Sequence, residues 1–378
     1  MILLKKVKNN KELAKVINEL LNELKLSLVN KNIFIKPNLG GRYPVLRSEN
    51  NNFEFLQLLC KALLDKGCGT IEIGHSSLHG YEFDKKYSFD ELIKLSHYTK
   101  LASLKNVKLL NLDTVTRYTE KSGEITFEIP SLLKNKYYIN LCKLKTHMET
   151  GVSLSLKNQM GLVSMENKKQ MHRYGIHQYI AYLGKAITPN LNIIEGIIAM
   201  EGNGPHHGKN IRTGFLICGD NMVEADSLAC KMIGIDCNKI KHLILSVKQG
   251  VGDLVDDNIV QPKNIKKLLQ ASEYIKKGIS LYVWPTTACS GCIFSLNKAV
   301  NDVVVSKNML RLIKMLFFSK TNILIGNCEN LLEENKSILG TIIAIGDCTK
   351  NAVNRHGIKK YVFGCPPNIN NIRKMLCL

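Results

Sequence analysis

Acidic residues are scarce relative to basic ones, tryptophan occurs once, and no uncharged apolar run approaches the length of about 18 residues that a spanning helix needs. The most apolar candidate, MLRLIKMLFF, is short and carries Arg311 and Lys314. No membrane partner is therefore expected. The first residues, MILLKKVKNN, lack an apolar stretch followed by a small-residue cleavage site, so no signal peptide is read and a cytoplasmic location is expected. Neither a P-loop nor a dinucleotide fingerprint occurs.

The 52 Lys and Arg against 32 Asp and Glu leave a formal charge of +20. Such an excess attracts nucleic acid or anionic small molecules. The lysines are scattered, as in KNNKELAK, ENKKQMHR and NKIKH, and form no stripe interleaved with aromatics. Nucleic acid is therefore not the expected partner.

The chain has 378 residues, 45% of them hydrophobic and 22% charged, which suits a globular protein of two domains. Twelve cysteines without an export signal do not read as a disulfide framework. Cys60, Cys218 and Cys230 sit in apolar segments as small hydrophobes, and Cys68, Cys142, Cys237 and Cys377 show no partner spacing.

Residues 278–378 alternate short apolar runs with helical stretches. GISLYVW (278–284) leads into PTTACSGC, and one long helix is expected over 293–318. TNILIGNC (321–328), GTIIAIGDC (340–348) and KYVFGC (360–365) follow, each succeeded by a helical segment. The pattern predicts a parallel α/β sheet, and ligands gather at the carboxyl ends of such strands. Cys289, Cys292, Cys328, Cys348 and Cys365 all follow predicted strands, so all five fall on one sheet edge. Four thiolates suit zinc or an iron–sulfur cluster. Pro366 after Cys365, and Gly291, Gly346 and Gly364 beside the cysteines, favour a 4Fe–4S cluster, with zinc as the alternative. Cys328 keeps three readings: a buried spectator, a functional thiol, or a ligand replacing one of the others.

The first 270 residues alternate similarly. NIFIKPN (32–38), TIEIGHSS (70–77), VKLLNLD (107–113), KYYINLCKLKTH (136–147), NLNIIEG (190–196) and TGFLICGD (213–220) are expected strands, and residues 52–67 an amphipathic helix closed by Gly67. A larger α/β domain with a mainly parallel sheet is predicted. Four groupings bear chemistry: Lys143, Lys145 and His147 with Lys157 and Asn158; His172 with His177; the glycine-rich loop of Glu201, His206 and His207; and Asp220, Glu224 and Asp226. Lysines at strand ends neutralise carboxylate or phosphate. The same lysines also fit a solvated surface, the histidines fit ordinary surface or core positions, and Asp220 fits a helix cap.

Two resemblances extend this. ACSGC, AIGDC and FGCPPN resemble the proximal-cluster motifs of nickel–iron hydrogenase small subunits and the related subunit of respiratory complex I. That likeness covers about residues 278–378 and implies a small flavodoxin-like iron–sulfur domain with Cys289, Cys292, Cys348 and Cys365 as ligands. IKPNL, KLKTHMETGVSLSLKNQMGL, QMHR, GIIAMEGNGPHHG and VEADSLACKMIGID, over about residues 30–240, resemble the domain of unknown function 362 family. The family is often joined to cluster modules. The resemblance implies a pocket of Lys36, Asn38, Lys145, His147, Lys157, Asn158, His172, Glu201, Gly204 and Asp226. Glu195 stands where the family pattern leads one to expect Asp, and His75 where an acid is common. The resulting expectation is a two-domain α/β iron–sulfur protein, divided at 1–270 and 278–378. It would reduce a small anionic substrate, with His147, His172, Lys145 and Glu201 catalytic. The rival is a non-enzymatic electron carrier or maturation factor that docks on a redox partner protein.

Overall fold

The computed structural model describes residues 1–40, 48–78, 88–205, 207–256, 259, 266–270, 275–277, 279–285, 288, 290–306, 309–329, 331–335 and 338–377. The chain divides into two compact units. The first comprises residues 1–168 and 177–271, and the second residues 169–176 and 272–378.

In the first unit the strands are β1 (Ile2–Lys6), β2 (Ile33–Lys36), β3 (Ile71–His75), β4 (Val107–Asn111), β5 (Arg117–Ser122), β6 (Ile125–Pro130), β7 (Tyr137–His147), β8 (Gly151–Ser153), β9 (Leu191–Asn203) and β10 (His207–Gly219). The helices are α1 (Leu13–Glu23), α2 (Phe53–Asp65), α3 (Phe89–Leu95), α4 (Ser155–Asn158), α5 (Met165–Tyr174), α6 (Ile176–Ala186), α7 (Met222–Met232) and α8 (Lys241–Lys248); α5 leaves this unit after Lys168. The main sheet runs β1-β10-β9-β7-β2-β3-β4, with β8 on β7. The pairs β9–β7, β7–β2, β2–β3 and β3–β4 are parallel, whereas β1–β10, β10–β9 and β7–β8 are antiparallel.

Local chemistry explains these elements. The four residues of β2, IFIK, are all buried, as a strand covered on both faces requires. Helix α2 begins at Asn52, whose side chain accepts from Glu54 N–H at 2.8 Å and Phe55 N–H at 3.2 Å. Phe55, Leu56, Leu59, Cys60 and Leu63 form its buried stripe.

The large sheet is parallel-rich, as expected, with an antiparallel edge at β9, β10 and β1. Residues 191–196 and 213–219 belong to two arms of one long antiparallel hairpin, β9–β10, which runs from Asn203 opposite His207 to Asn192 opposite Gly219 with a register shift between Arg212 and Phe215. Gly202 and Gly208 therefore face each other in the strand ends, with Gly204 and Pro205 in the turn and His206 outside the described residues.

In the second unit, β11 (Ile275–Lys277) pairs antiparallel with β12 (Leu281–Trp284). Strands β12, β13 (Thr321–Ile325), β14 (Thr341–Ile345) and β15 (Lys360–Val362) are parallel neighbours in sequence order. Helices α9 (Ser290–Val304), α10 (Met309–Phe317), α11 (Leu331–Glu334), α12 (Lys350–His356) and α13 (Ile369–Leu376) complete it. The single helix expected over 293–318 is two helices. Three consecutive valines, 303–305, precede the break, and β-branched residues lose side-chain freedom in a helix. Among the described residues, no helix is long and apolar enough to cross a membrane.

Candidate functional site

In the first unit, β2, β3 and β4 follow one another on one side of the sheet, while β7 and β9 lie on the other side of β2. The chain order reverses between β2 and β7. In an open parallel sheet such a reversal opens a crevice at the strand carboxyl ends. Lys36 ends β2, His75 ends β3, and Lys145 and His147 lie at the end of β7.

These groups are joined by amides. Lys145 Nζ donates to Asn38 Oδ1 at 2.8 Å and to the Glu49 carbonyl at 2.9 Å. Asn38 Nδ2 donates to Asn158 Oδ1 at 3.1 Å, which also accepts from Lys36 Nζ at 3.3 Å. Asn158 Nδ2 faces Asn140 Oδ1 at 2.8 Å and the Leu141 carbonyl at 3.1 Å. Lys157 Nζ meets His147 Nε2, and Lys168 Nζ meets Ser76 Oγ. Glycines let the backbone approach both strand-end amines. A Cβ on Gly161 would lie 2.6 Å from Lys36 Nζ, and one on Gly40 would lie 3.0 Å from Lys145 Nζ.

Burial and mutual repulsion weaken the hold of these lysines on their protons. Lys36 is pushed down to about 7, by burial first and then by Lys168 and Lys145. Lys157 falls to about 7, chiefly by burial, with Glu149 opposing. Lys145 and Lys168 fall to about 8, again by burial, opposed by Glu49 and Asp113 respectively. Burial, and then Lys36 and Lys168, hold His75 well below its usual value. An anion placed here would relieve the repulsion.

The His147 tautomer follows from its partners. Nδ1 accepts from Glu149 N–H at 3.1 Å. A neutral ring therefore carries its proton on Nε2 and presents it to the Lys157 amine. That hydrogen bond requires an uncharged amine, in keeping with the lowered Lys157 value.

Other expected residues take different places. Asp226 is fully buried on α7 and accepts from Ser155 N–H at 2.7 Å and Leu156 N–H at 3.0 Å, so it caps α4 rather than lining the crevice. Burial raises its carboxyl to about 7. Gly204 lies against the Thr146 carbonyl, and its own carbonyl accepts from Met148 N–H at 2.9 Å. Glu201 is not beside Lys145: the β7–β9 register puts Met200 there, and the Glu201 carboxylate accepts from Leu269 N–H at 3.0 Å. His172 lies on α5 in the segment that belongs to the second unit. Glu195 forms a buried ion pair with Lys143 and accepts from Asn51 Nδ2 and Asn52 N–H, each at 3.1 Å. Sequence reasoning missed Lys168 and Ser76. It also missed His242, which is fully buried on α8 and stacks on His177 at 5.7 Å between centroids. Nothing in the letters of ENKKQMHR or NKIKH separates Lys168 or His242 from surface residues.

In the second unit, Cys292 lies in the first turn of α9 after β12, Cys348 follows β14, and Cys365 follows β15. Parallel register puts these three loops at one sheet edge. Gly346 has φ +97°, and a Cβ there would lie 2.9 Å from Cys292 Sγ, so only glycine admits this sulfur beside the Cys348 loop. Asp347 N–H donates to the Gly364 carbonyl, and Asp347 Oδ1 accepts from Gly364 N–H, both at 3.0 Å, tying the Cys348 and Cys365 loops together. Cys289 lies outside the described residues. Among the described residues, no three His, Cys, Asp or Glu side chains are placed to hold a single metal ion. Cys328 packs with Trp284, Leu324 and Ala344, whereas Cys292 packs with Ile323, Ile325 and Ile345, the alternate residues of the same strands. Burial pushes the Cys328 thiol up to about 12.

The chain shows three similarities to known proteins. A thylakoid-associated protein of Synechocystis sp. is 34% identical over 121 residues, covering 30% of this chain and 37% of that protein. The chain thus matches little more than a third of that relative's length. A crystal structure of a Thermotoga maritima protein aligns with 99% of this chain and 84% of its own, at 13% identity and a TM-score of 0.44. Residues 33–231, over half the chain, match the domain of unknown function 362 family, and they contain the strand-end lysines, Asn158 and the cap at Asp226; the chain belongs to that family.

Proposed function

We propose that the protein is an iron–sulfur redox protein. Its first unit binds a small anionic substrate or cofactor for reduction, and its second unit, of flavodoxin-like layering, holds a 4Fe–4S cluster. The observation that carries the redox half is the edge of the second sheet. Cysteines follow all four consecutive parallel strands, Cys328 in the opposite apolar layer from Cys292, and Gly346 leaves room for the Cys292 sulfur against the Cys348 loop. Cys292, Cys348 and Cys365 would be ligands there, with Cys289 as the fourth, three residues before Cys292. The glycine-lined loops suit a bulky group, and thiolate is the donor that iron–sulfur clusters and zinc both take. A cubane spaces its thiolates more widely than a single ion does. When bound, such a cluster supplies electrons one at a time.

The substrate half rests on the crevice between β2 and β7. Lys36, Lys145, Lys157 and Lys168 would share the charge of a carboxylate or phosphate, with Asn38 and Asn158 fixing its orientation. The Lys157–His147 pair would pass a proton, because the two nitrogens are in hydrogen-bond contact and burial pushes the Lys157 amine down to about 7. Glu201, engaged with the Leu269 amide, takes no acid role in this reading.

Anaerobic purification, iron and sulfide analysis, and an EPR spectrum of the reduced protein test the proposal. Close to four irons and four sulfides per chain are expected. Stoichiometric zinc with no acid-labile sulfide would replace the cluster reading with the structural-zinc alternative.

A further inference from the structure

Helix α10 presents an unusual outer face. From Val303 to Cys328 the sequence contains no acidic residue, while Lys307, Arg311, Lys314 and Lys320 are basic. Inside the unit, Leu312 is buried, and Met315 and Leu316 pack on the core. Outside, Leu310, Lys314, Phe317 and Phe318 follow one another at i, i+4, i+7 and i+8, on one side of a helix. Leu310 is 74% exposed and Phe318 80%, with Phe317 and Met309 exposed beside them. Val305, just past α9, is 86% exposed. A surface helix ordinarily turns polar residues to water. Single exposed apolar side chains need no explanation, but this many within residues 304–318, interleaved with cations, form a patch.

We propose that this face of the second unit binds the surface of an anionic lipid membrane. The apolar side chains would enter the boundary between headgroups and acyl chains, and Arg311, Lys314 and Lys320 would meet lipid phosphates. Phe317 and Phe318 suit that boundary, and the lysine stems can lie along it while their amines stay wet. The charges that argue against a spanning helix here are those that an interfacial helix needs. The overall charge of +20 adds long-range attraction to the same surface. Acidic protein partners would answer the charge too. Lipid is favoured because the apolar groups are separate, protruding side chains among cations, which insert without needing a matching groove.

Flotation of the full-length protein with phosphatidylcholine vesicles, with and without phosphatidylglycerol, tests this. Binding is expected only with phosphatidylglycerol and should weaken as salt is raised. The double variant Leu310→Ser/Phe318→Ser keeps every charge and alters only exposed positions. Its melting temperature should be unchanged and its vesicle affinity lower by about tenfold or more. Arg311→Gln/Lys314→Gln should lower binding to the anionic vesicles as well. Wild-type protein that fails to float would overturn the proposal and leave the face to a protein partner or to none. Serine-variant binding equal to wild type would overturn it too, because attraction would then be charge alone.

Discussion

Lys143 and Glu195 form a buried ion pair, Nζ to Oε1 at 2.6 Å, on adjacent parallel strands. Two residues along β7, Lys145 is equally buried, yet its hydrogen bonds go to an amide oxygen and a backbone carbonyl. Lys143 is neutralised within the fold, whereas the proposed function assigns Lys145 to the anion. Glu195→Gln should destabilise the protein by about 3–5 kcal/mol, because it strands the Lys143 charge. Lys145→Met should cost less stability and instead remove anion binding. Urea denaturation of both variants, with a binding titration of each, checks the contrast. Equal losses of stability would show that Lys145 is structural too.

Anion affinity should fall as pH rises. Lys36 and Lys157 lose their protons near 7, and Lys145 and Lys168 near 8. A bound anion favours the charged amines, so the complex takes up protons. Calorimetry with citrate or pyrophosphate, in two buffers of different ionisation enthalpy, should give heats that differ in the direction of proton uptake. Buffer-independent heats at neutral pH would contradict the lysine assignment.

Acid should destabilise the first unit through its histidine stack. Burial pushes His177 down to about 4 and His242 well below 6.5. Below about 6.5 the unfolded chain binds protons that the folded chain refuses. Stability contributed by the neutral rings is therefore complete above 6.5. It declines as pH falls from there towards about 4, where His177 itself titrates. His242→Leu should make this decline shallower, as read from urea midpoints at neutral and mildly acidic pH. A slope identical to wild type would exclude His242 as its source.

The two faces of the second sheet separate the roles of its cysteines. Cys348→Ser should lose iron on anaerobic purification. Cys328→Ser, in the opposite apolar layer from Cys292, should retain the full complement. Iron loss in Cys328→Ser would make it a ligand and displace one of the other four.

The strand framework was legible because buried parallel strands are short apolar runs, such as IFIK in β2 and TNILI in β13. The places of Lys36 and Lys145 at strand ends were legible from those runs. The β5–β6 hairpin was not, because RYTEKS and ITFEIP are half polar and signal an exposed ribbon only weakly. Lys168 and Ser76 escaped because their pairing arises from long-range approach. Lys168 reaches Ser76, 92 positions away in sequence, and no local pattern encodes that distance. Which side chain stands beside Lys145 was not legible either, because strand register, not position after an apolar run, decides it, and the register puts Met200 there.

The Asp226 cap changes how a mutational scan of this protein would read. Asp226 is about 70 positions from Ser155 and Leu156, yet its carboxylate seats the start of the short helix that carries Lys157 and Asn158. Losing that carboxylate would displace two crevice residues at once while leaving both in the sequence. A screen scored on turnover alone would rank Asp226 with the reacting groups and credit a hinge pin with the work of the blade.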